Sequence, residues 1–123
     1  GQKKTTPTVV KFKSTSFFTA LRKYSKNNPK YVKNHKGLYE IEVILGDTTS
    51  YWELDFTKKE GVVKKQKSKT SKVTLRIDDD SLFKLYKGNV LLDELKIQER
   101  IKLKGTKTQS LKLMELIFDF LNR

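Results

Sequence analysis

Glu99–Leu121 reads ERIKLKGTKTQSLKLMELIFDFL, a strand, a glycine and a helix in close succession. Arg100–Lys104 alternates polar and apolar side chains with Ile101 and Leu103 on one face, the period of a half-buried strand. Gly105 ends it, and Thr108 or Ser110 can cap the helix that follows. In that helix Lys112, Glu115, Asp119 and Asn122 share one narrow polar stripe. Leu111, Leu113, Met114, Leu116, Ile117, Phe118, Phe120 and Leu121 fill the remaining circumference. A surface helix needs an apolar arc of only roughly 100°, and this arc is wider. The excess requires a destination: a deeply covered core, a dimer interface, a membrane surface, or the wall of a cavity for an apolar ligand.

Upstream, the periods alternate between helix and strand. Ser14-Thr15-Ser16 precedes a helical pattern of Phe17, Phe18, Leu21 and Tyr24. Asn28-Pro29 then opens a short helix running to about His35, with Gly37 as its stop. Leu38–Leu45 and Ser50–Phe56 both alternate, joined by Gly46-Asp47-Thr48-Thr49, which predicts a hairpin. Val62–Lys65 is a weak strand, Gln66–Ser71 a basic loop, and Val73–Ile77 a fourth strand. Asp78-Asp79-Asp80-Ser81 starts a helix with Leu82, Phe83, Leu85 and Tyr86, stopped by Gly88. Val90–Gln98 predicts another, with Leu91, Leu92, Leu95 and Ile97 inward. The order is helices, an antiparallel meander, two helices, one strand, one helix. This is α+β, with helices on one side of a five-stranded, mainly antiparallel sheet.

With 123 residues the chain has the size of one domain. We expect it at 14–123, behind a flexible basic leader at 1–13. Twenty-seven basic against 14 acidic residues give a net charge of +13. That balance suits phosphate-bearing partners or an anionic membrane, and equally suits a plain solvated surface. Without cysteine there are neither disulfides nor thiolate metal sites. No apolar run approaches the roughly 20 residues of a membrane-crossing helix.

Catalysis finds no support. His35 is the single histidine, so no metal site or Cys/His pair can be built on it, and a cap or surface position suits it better. Asp78–Asp80 lie where carboxylates cap a helix start and complement its dipole. Phosphate-loop, nucleophile-elbow and zinc-protease patterns are all missing from the sequence. Nucleic acid is a weaker reading: Lys58, Lys59, Lys64, Lys65, Lys67, Lys69, Lys72 and Arg76 face only Glu60 in that region. Trp52 and Phe56, however, share a strand face with Leu54, the pattern of a core and not of a base-stacking platform. We expect no enzyme, no metal and no cofactor.

Lys72–Gly105, KVTLRIDDDSLFKLYKGNVLLDELKIQERIKLKG, resembles the sterol carrier protein-2 domain. Leu82 and Leu85 fall on that family's helix positions and Gly88 on its helix-ending glycine. Ile101, Lys102, Leu103 and Gly105 match its last strand, Gly37-Leu38-Tyr39 the start of its first, and Trp52-Glu53-Leu54-Asp55 its Trp-x-x-Asp second. The likeness covers about Phe17 to Leu121 and departs at Glu99, commonly Gly, and Lys96, commonly aromatic.

The resemblance implies non-catalytic binding of lipid, and its transfer between membranes, through a hydrophobic tunnel between sheet and helices. Fatty acid, fatty acyl-CoA, sterol and phospholipid are the implied ligands. Leu82, Phe83, Leu85, Leu95, Ile101, Leu103, Leu113, Met114, Leu116, Ile117 and Phe120 are the expected tunnel wall. The alternative keeps the fold without ligand capacity, as a membrane-docking or protein-interaction module. We expect a monomer, soluble or membrane-peripheral inside the cell. Family analogy points to the peroxisome, although Leu121-Asn122-Arg123 is not a Ser-Lys-Leu address.

Overall fold

The computed structural model describes residues 11–123. Residues 1–10, most of the expected leader, lie outside the described residues. The elements in order are α1 (Thr15–Asn27), α2 (Pro29–Asn34), β1 (Leu38–Leu45), β2 (Thr48–Asp55) and β3 (Val62–Lys64). They continue with β4 (Val73–Asp78), α3 (Asp79–Tyr86), α4 (Leu92–Ile97), β5 (Ile101–Gly105) and α5 (Lys107–Leu121).

The five strands form one sheet in the order β3-β2-β1-β4-β5. The pairs are antiparallel except β1 with β4, which is parallel. The fold is therefore the expected α+β with a mainly antiparallel sheet, but the first four strands are not a meander. After β3 the chain crosses to the far side of β1, and only Glu53, Leu54 and Asp55 of β2 pair with the short β3. The crossing rests on Glu40: the Ser68 N–H donates to its Oε2 (2.6 Å) and the Thr74 hydroxyl to its Oε1 (3.0 Å). The hairpin loop is also tighter than expected, since Leu45 pairs with Thr48 across Gly46-Asp47.

Register explains the single core. Ile41 lies opposite both Trp52 and Leu75, and Leu75 opposite Leu103, so the apolar members of neighbouring strands share one face. The helices cover that face. Phe18 stacks on Trp52 at 4.1 Å between ring centroids, and Phe17 meets Phe120 edge to face at 5.4 Å. Arg22 donates twice to the Val63 carbonyl (3.1 and 2.9 Å), fastening α1 to the edge strand.

Helix ends follow local chemistry. Asp78 caps α3, accepting from the Ser81 N–H at 2.9 Å, and Asp79 accepts from the backbone N–H groups of Lys13 and Ser14. Thr106 caps α5, upstream of both expected residues, Thr108 and Ser110, accepting from the Gln109 N–H at 3.2 Å. Gly105 sets that boundary, because a Cβ there would stand 2.3 Å from the Lys72 carbonyl oxygen. On α4, Leu92 and Leu95 are buried as expected, but Leu91 and Ile97 point to solvent, 65% and 81% exposed. Six residues make less than two turns, too short to bury four apolar positions on one side.

Two polar ties join α2 to α5: the Tyr31 hydroxyl donates to the Leu116 carbonyl at 2.6 Å, and His35 Nε2 lies 2.8 Å from Asp119 Oδ2. His35 is thus a buried helix cap, not a surface residue. Burial, and then the Asp119 carboxylate, push the Tyr31 phenol far above the ordinary range; burial, and then Glu115, push Tyr39 up to about 12.

Glu99 adopts φ 57°, the left-handed region that an L side chain enters at a cost. Glu99→Gly is expected to raise stability by about 1 kcal/mol, read from urea unfolding midpoints, and a loss would contradict the strain. Tyrosines in the unfolded chain release their protons near pH 10 while Tyr31 and Tyr39 hold theirs longer. Stability is then complete below that pH and falls as pH rises above it. Tyr31→Phe is expected to flatten this alkaline decline in urea titrations, whatever the variant's stability at neutral pH.

Candidate functional site

The helix layer over β4 and β5 is built from α3, α4 and α5. Leu82, Leu95, Leu113, Leu116, Ile117 and Phe120 are buried in it, and Leu85 and Ile101 lie at its margins, still buried. Leu103 and Met114 pack against this core while staying partly exposed. Phe83 stands elsewhere, with the Lys13 and Lys87 ammonium groups 5.4 and 5.6 Å from its ring centre.

Side chains bordering a passage wide enough for an acyl chain would be reachable by a water-sized sphere. Leu82, Leu113, Leu116, Ile117 and Phe120 have 0% exposure. The open tunnel expected between sheet and helices is not shown here; these five residues form a closed layer.

Open apolar space lies beside that layer. A groove of about 220 Å³ is lined by Leu85, Tyr86, Val90, Leu91, Phe118 and Leu121, among others, with Asp93 and Asn122 at its polar edge. Of the expected wall residues only Leu85 borders it. Phe118 (56% exposed) and Leu91 (65%) present apolar carbon to solvent there, and Leu111 (52%) continues the same kind of surface on α5. A signal for Phe118 and Leu121 exists in the sequence: they belong to the part of the α5 arc that four core contacts, Leu113, Leu116, Ile117 and Phe120, leave over. Leu91 carries no such signal, because apolar spacing alone points it inward.

Titratable groups near this layer are structural. For Asp78, burial alone would raise the carboxyl. Hydrogen bonds from the Ser81 hydroxyl and amide, then Arg100, outweigh it and hold Asp78 below its usual range. Asp80 pairs with Lys13 (3.1 Å) and Lys84 (3.0 Å). Among the described residues no His, Cys, Asp and Glu gather in a group able to hold a metal ion, and no helix is long and apolar enough to cross a membrane. Glu99 borders a different surface, beside Arg76, Arg100 and Lys102, and Lys96 is exposed and borders neither. The two departures from the family pattern thus fall outside the apolar groove.

The SCP-2 sterol transfer family matches residues 18–118. Among solved structures, the sterol carrier protein domain 2 of Helicoverpa armigera has a TM-score of 0.76 at 22% identity, covering 99% of this chain and 97% of that one. Sterol carrier protein 2 from Yarrowia lipolytica, in its apo form, gives 0.70 at 20%, covering 91% and 94%. Sterol carrier protein-2 from Aedes aegypti, in complex with palmitate, gives 0.61 at 18%, covering 91% and 96%. At such identities these likenesses speak to the fold. No curated protein matches the chain. The fold of those structures and the family's pattern over 18–118 agree: the chain belongs to the SCP-2 sterol transfer family.

Proposed function

We propose that this chain binds a lipid without catalysing a reaction on it, taking the acyl or sterol body at the α3–α4–α5 groove. The observation that carries the reading is the exposed apolar pair Phe118 and Leu91 facing a concave, mostly apolar surface. Family membership and a palmitate complex among proteins of this fold support it. Burying each CH₂ of a lipid chain gains on the order of 0.8 kcal/mol before ordering costs.

The groove's 220 Å³ is below the roughly 300 Å³ at which small-molecule pockets begin, so a long chain needs further room. That room lies beneath α5. Displacing α5 outward would turn Leu113, Met114, Leu116, Ile117 and Phe120 toward the ligand, with Leu82, Leu85, Leu95, Ile101 and Leu103 opposite. Transfer between membranes, and the choice among fatty acid, fatty acyl-CoA, sterol and phospholipid, belong to this proposal. Lysines would assist by attracting an anionic membrane, at about 1 kcal/mol for each basic residue near the surface.

The closed layer favours a second reading, in which α5 completes a solid core and the fold serves as a docking module. Native mass spectrometry of the purified chain separates the two: the proposal expects co-purified lipid as added mass, the second reading the bare chain. Phe118→Ser tests the groove itself. More than half exposed, Phe118 can be truncated at a folding cost within about 0.5 kcal/mol, so the melting temperature should hold. Titration with a fluorescent fatty acid is expected to show about tenfold weaker binding, and unchanged affinity would remove the groove from the binding path.

A further inference from the structure

A second concavity, apart from the apolar groove, is lined by basic side chains. Between α2 and the turn joining β2 to β3 lies a second hollow of about 310 Å³. Val32 and Phe56 form its base, both almost wholly buried, and Pro29 and Thr57 border it. Lys33 and Lys36 line one side and Lys58 and Lys59 the other. No acidic residue lines the hollow. Among the described residues none of these four lysines takes part in an ion pair, whereas Lys13 and Lys84 both do. The hollow shares no lining residue with the α3–α4–α5 groove.

Four like charges around one concave surface give it a positive potential that favours an anion. Because the lysines come from two segments distant in sequence, the end of α2 with the link that follows it and the β2–β3 turn, the fold itself assembles the cluster. A single carboxylate would leave most of the charge unmatched. A phosphomonoester carries about −1.5 to −2 at neutral pH, so two of them balance four ammonium groups. The hollow is of a size for one small molecule.

We infer that this hollow binds a small bisphosphate, either a soluble one or the headgroup of a phospholipid, at a site separate from the one that takes the lipid body. A nucleic-acid strand fits less well, since the hollow offers no exposed aromatic for base stacking.

The test uses the full chain and follows amide chemical shifts during titration with inorganic pyrophosphate. It also measures binding to phosphatidylcholine vesicles carrying phosphatidylinositol bisphosphate or, at equal surface charge, phosphatidylserine. Saturable shifts at Val32, Lys33, Thr57 and Lys58 are expected with pyrophosphate if the source is soluble. Binding to the bisphosphate vesicles without a pyrophosphate response assigns a lipid headgroup, and either result supports the site. The paired variant Lys36→Ala with Lys59→Ala is expected to weaken whichever interaction is seen by about tenfold or more. Lys65→Ala with Lys69→Ala removes the same net charge from the basic loop, and is expected to change it by less than about twofold. Equal losses in the two variants would reduce the effect to net charge and overturn the inference. So would equal binding to phosphatidylserine vesicles, tighter binding to single-stranded DNA, or no response to either bisphosphate probe.

Discussion

The structure depends on covering one face of one sheet. In-register pairing places Tyr39, Ile41, Val43, Trp52, Leu54, Leu75 and Ile77 on the same side, all nearly or fully buried. Each buried large apolar side chain contributes about 1.5–3 kcal/mol relative to exposure, so no helix can leave its place without a large loss. The helices divide the task by strand. Helix α1 packs on β3 and brings Phe18 over Trp52, while α5 packs on β4 and β5. The opposite face carries Glu40, Glu42, Glu53, Arg76, Lys102 and Lys104, and the Gln66–Ser71 loop, fastened at Glu40, crosses it.

Helix α5 combines a fully covered core face with an exposed apolar edge. Its core face is firm, with Leu113, Leu116, Ile117 and Phe120 all at 0% exposure. Its other apolar side chains have no such seat, and Leu111 and Phe118 remain more than half exposed. Beyond the sheet contact, its ties to α2 are two polar contacts, Tyr31 to the Leu116 carbonyl and His35 to Asp119. Such contacts are worth on the order of 1 kcal/mol each and can re-form, whereas the sheet ladder cannot be given up piecemeal. A helix with an unsatisfied apolar edge and a re-formable attachment is a physical basis for admitting an apolar guest.

Much of this was legible in the sequence because it is local. The strand Ile101–Gly105, the β1–β2 hairpin and the carboxylate cap of α3 follow from period, glycine placement and N-cap chemistry over a few residues. The β3-to-β4 crossing was not, because its anchor is a glutamate on the sheet face away from the core, buried beneath the crossing, whose partners, Ser68 and Thr74, are 28 and 34 residues away. Nor did side-chain chemistry alone lead from the expected Thr108 or Ser110 to Thr106, the α5 cap; the close approach of Gly105 to Lys72 selects it. The candidate site divides in the same way. Apolar excess on α5 was visible as a wide arc, but which residues of that arc meet the sheet and which meet Leu91 and Tyr86 depends on how α5 lies across the layer.

The closed layer beneath α5 also follows from energetics. A cavity costs about 24 cal/mol per Å³ of void, so a dry passage on the order of 300 Å³ would cost about 7 kcal/mol. The whole stability of a small domain is about 5–15 kcal/mol. Keeping such a passage open and dry would therefore cost a large share of a small domain's stability. Closing the helices onto the sheet, or filling the space with apolar matter of matching shape, avoids that cost. The fully buried Leu82, Leu113, Leu116, Ile117 and Phe120 are the first solution. The partly exposed Phe118, Leu121 and Tyr86, left at the mouth of the groove, are where the second would begin. Under the proposed reading, a closed core and a lipid-filled one would be two occupancies of one helix layer, the balance between them set by the side chains a guest would replace.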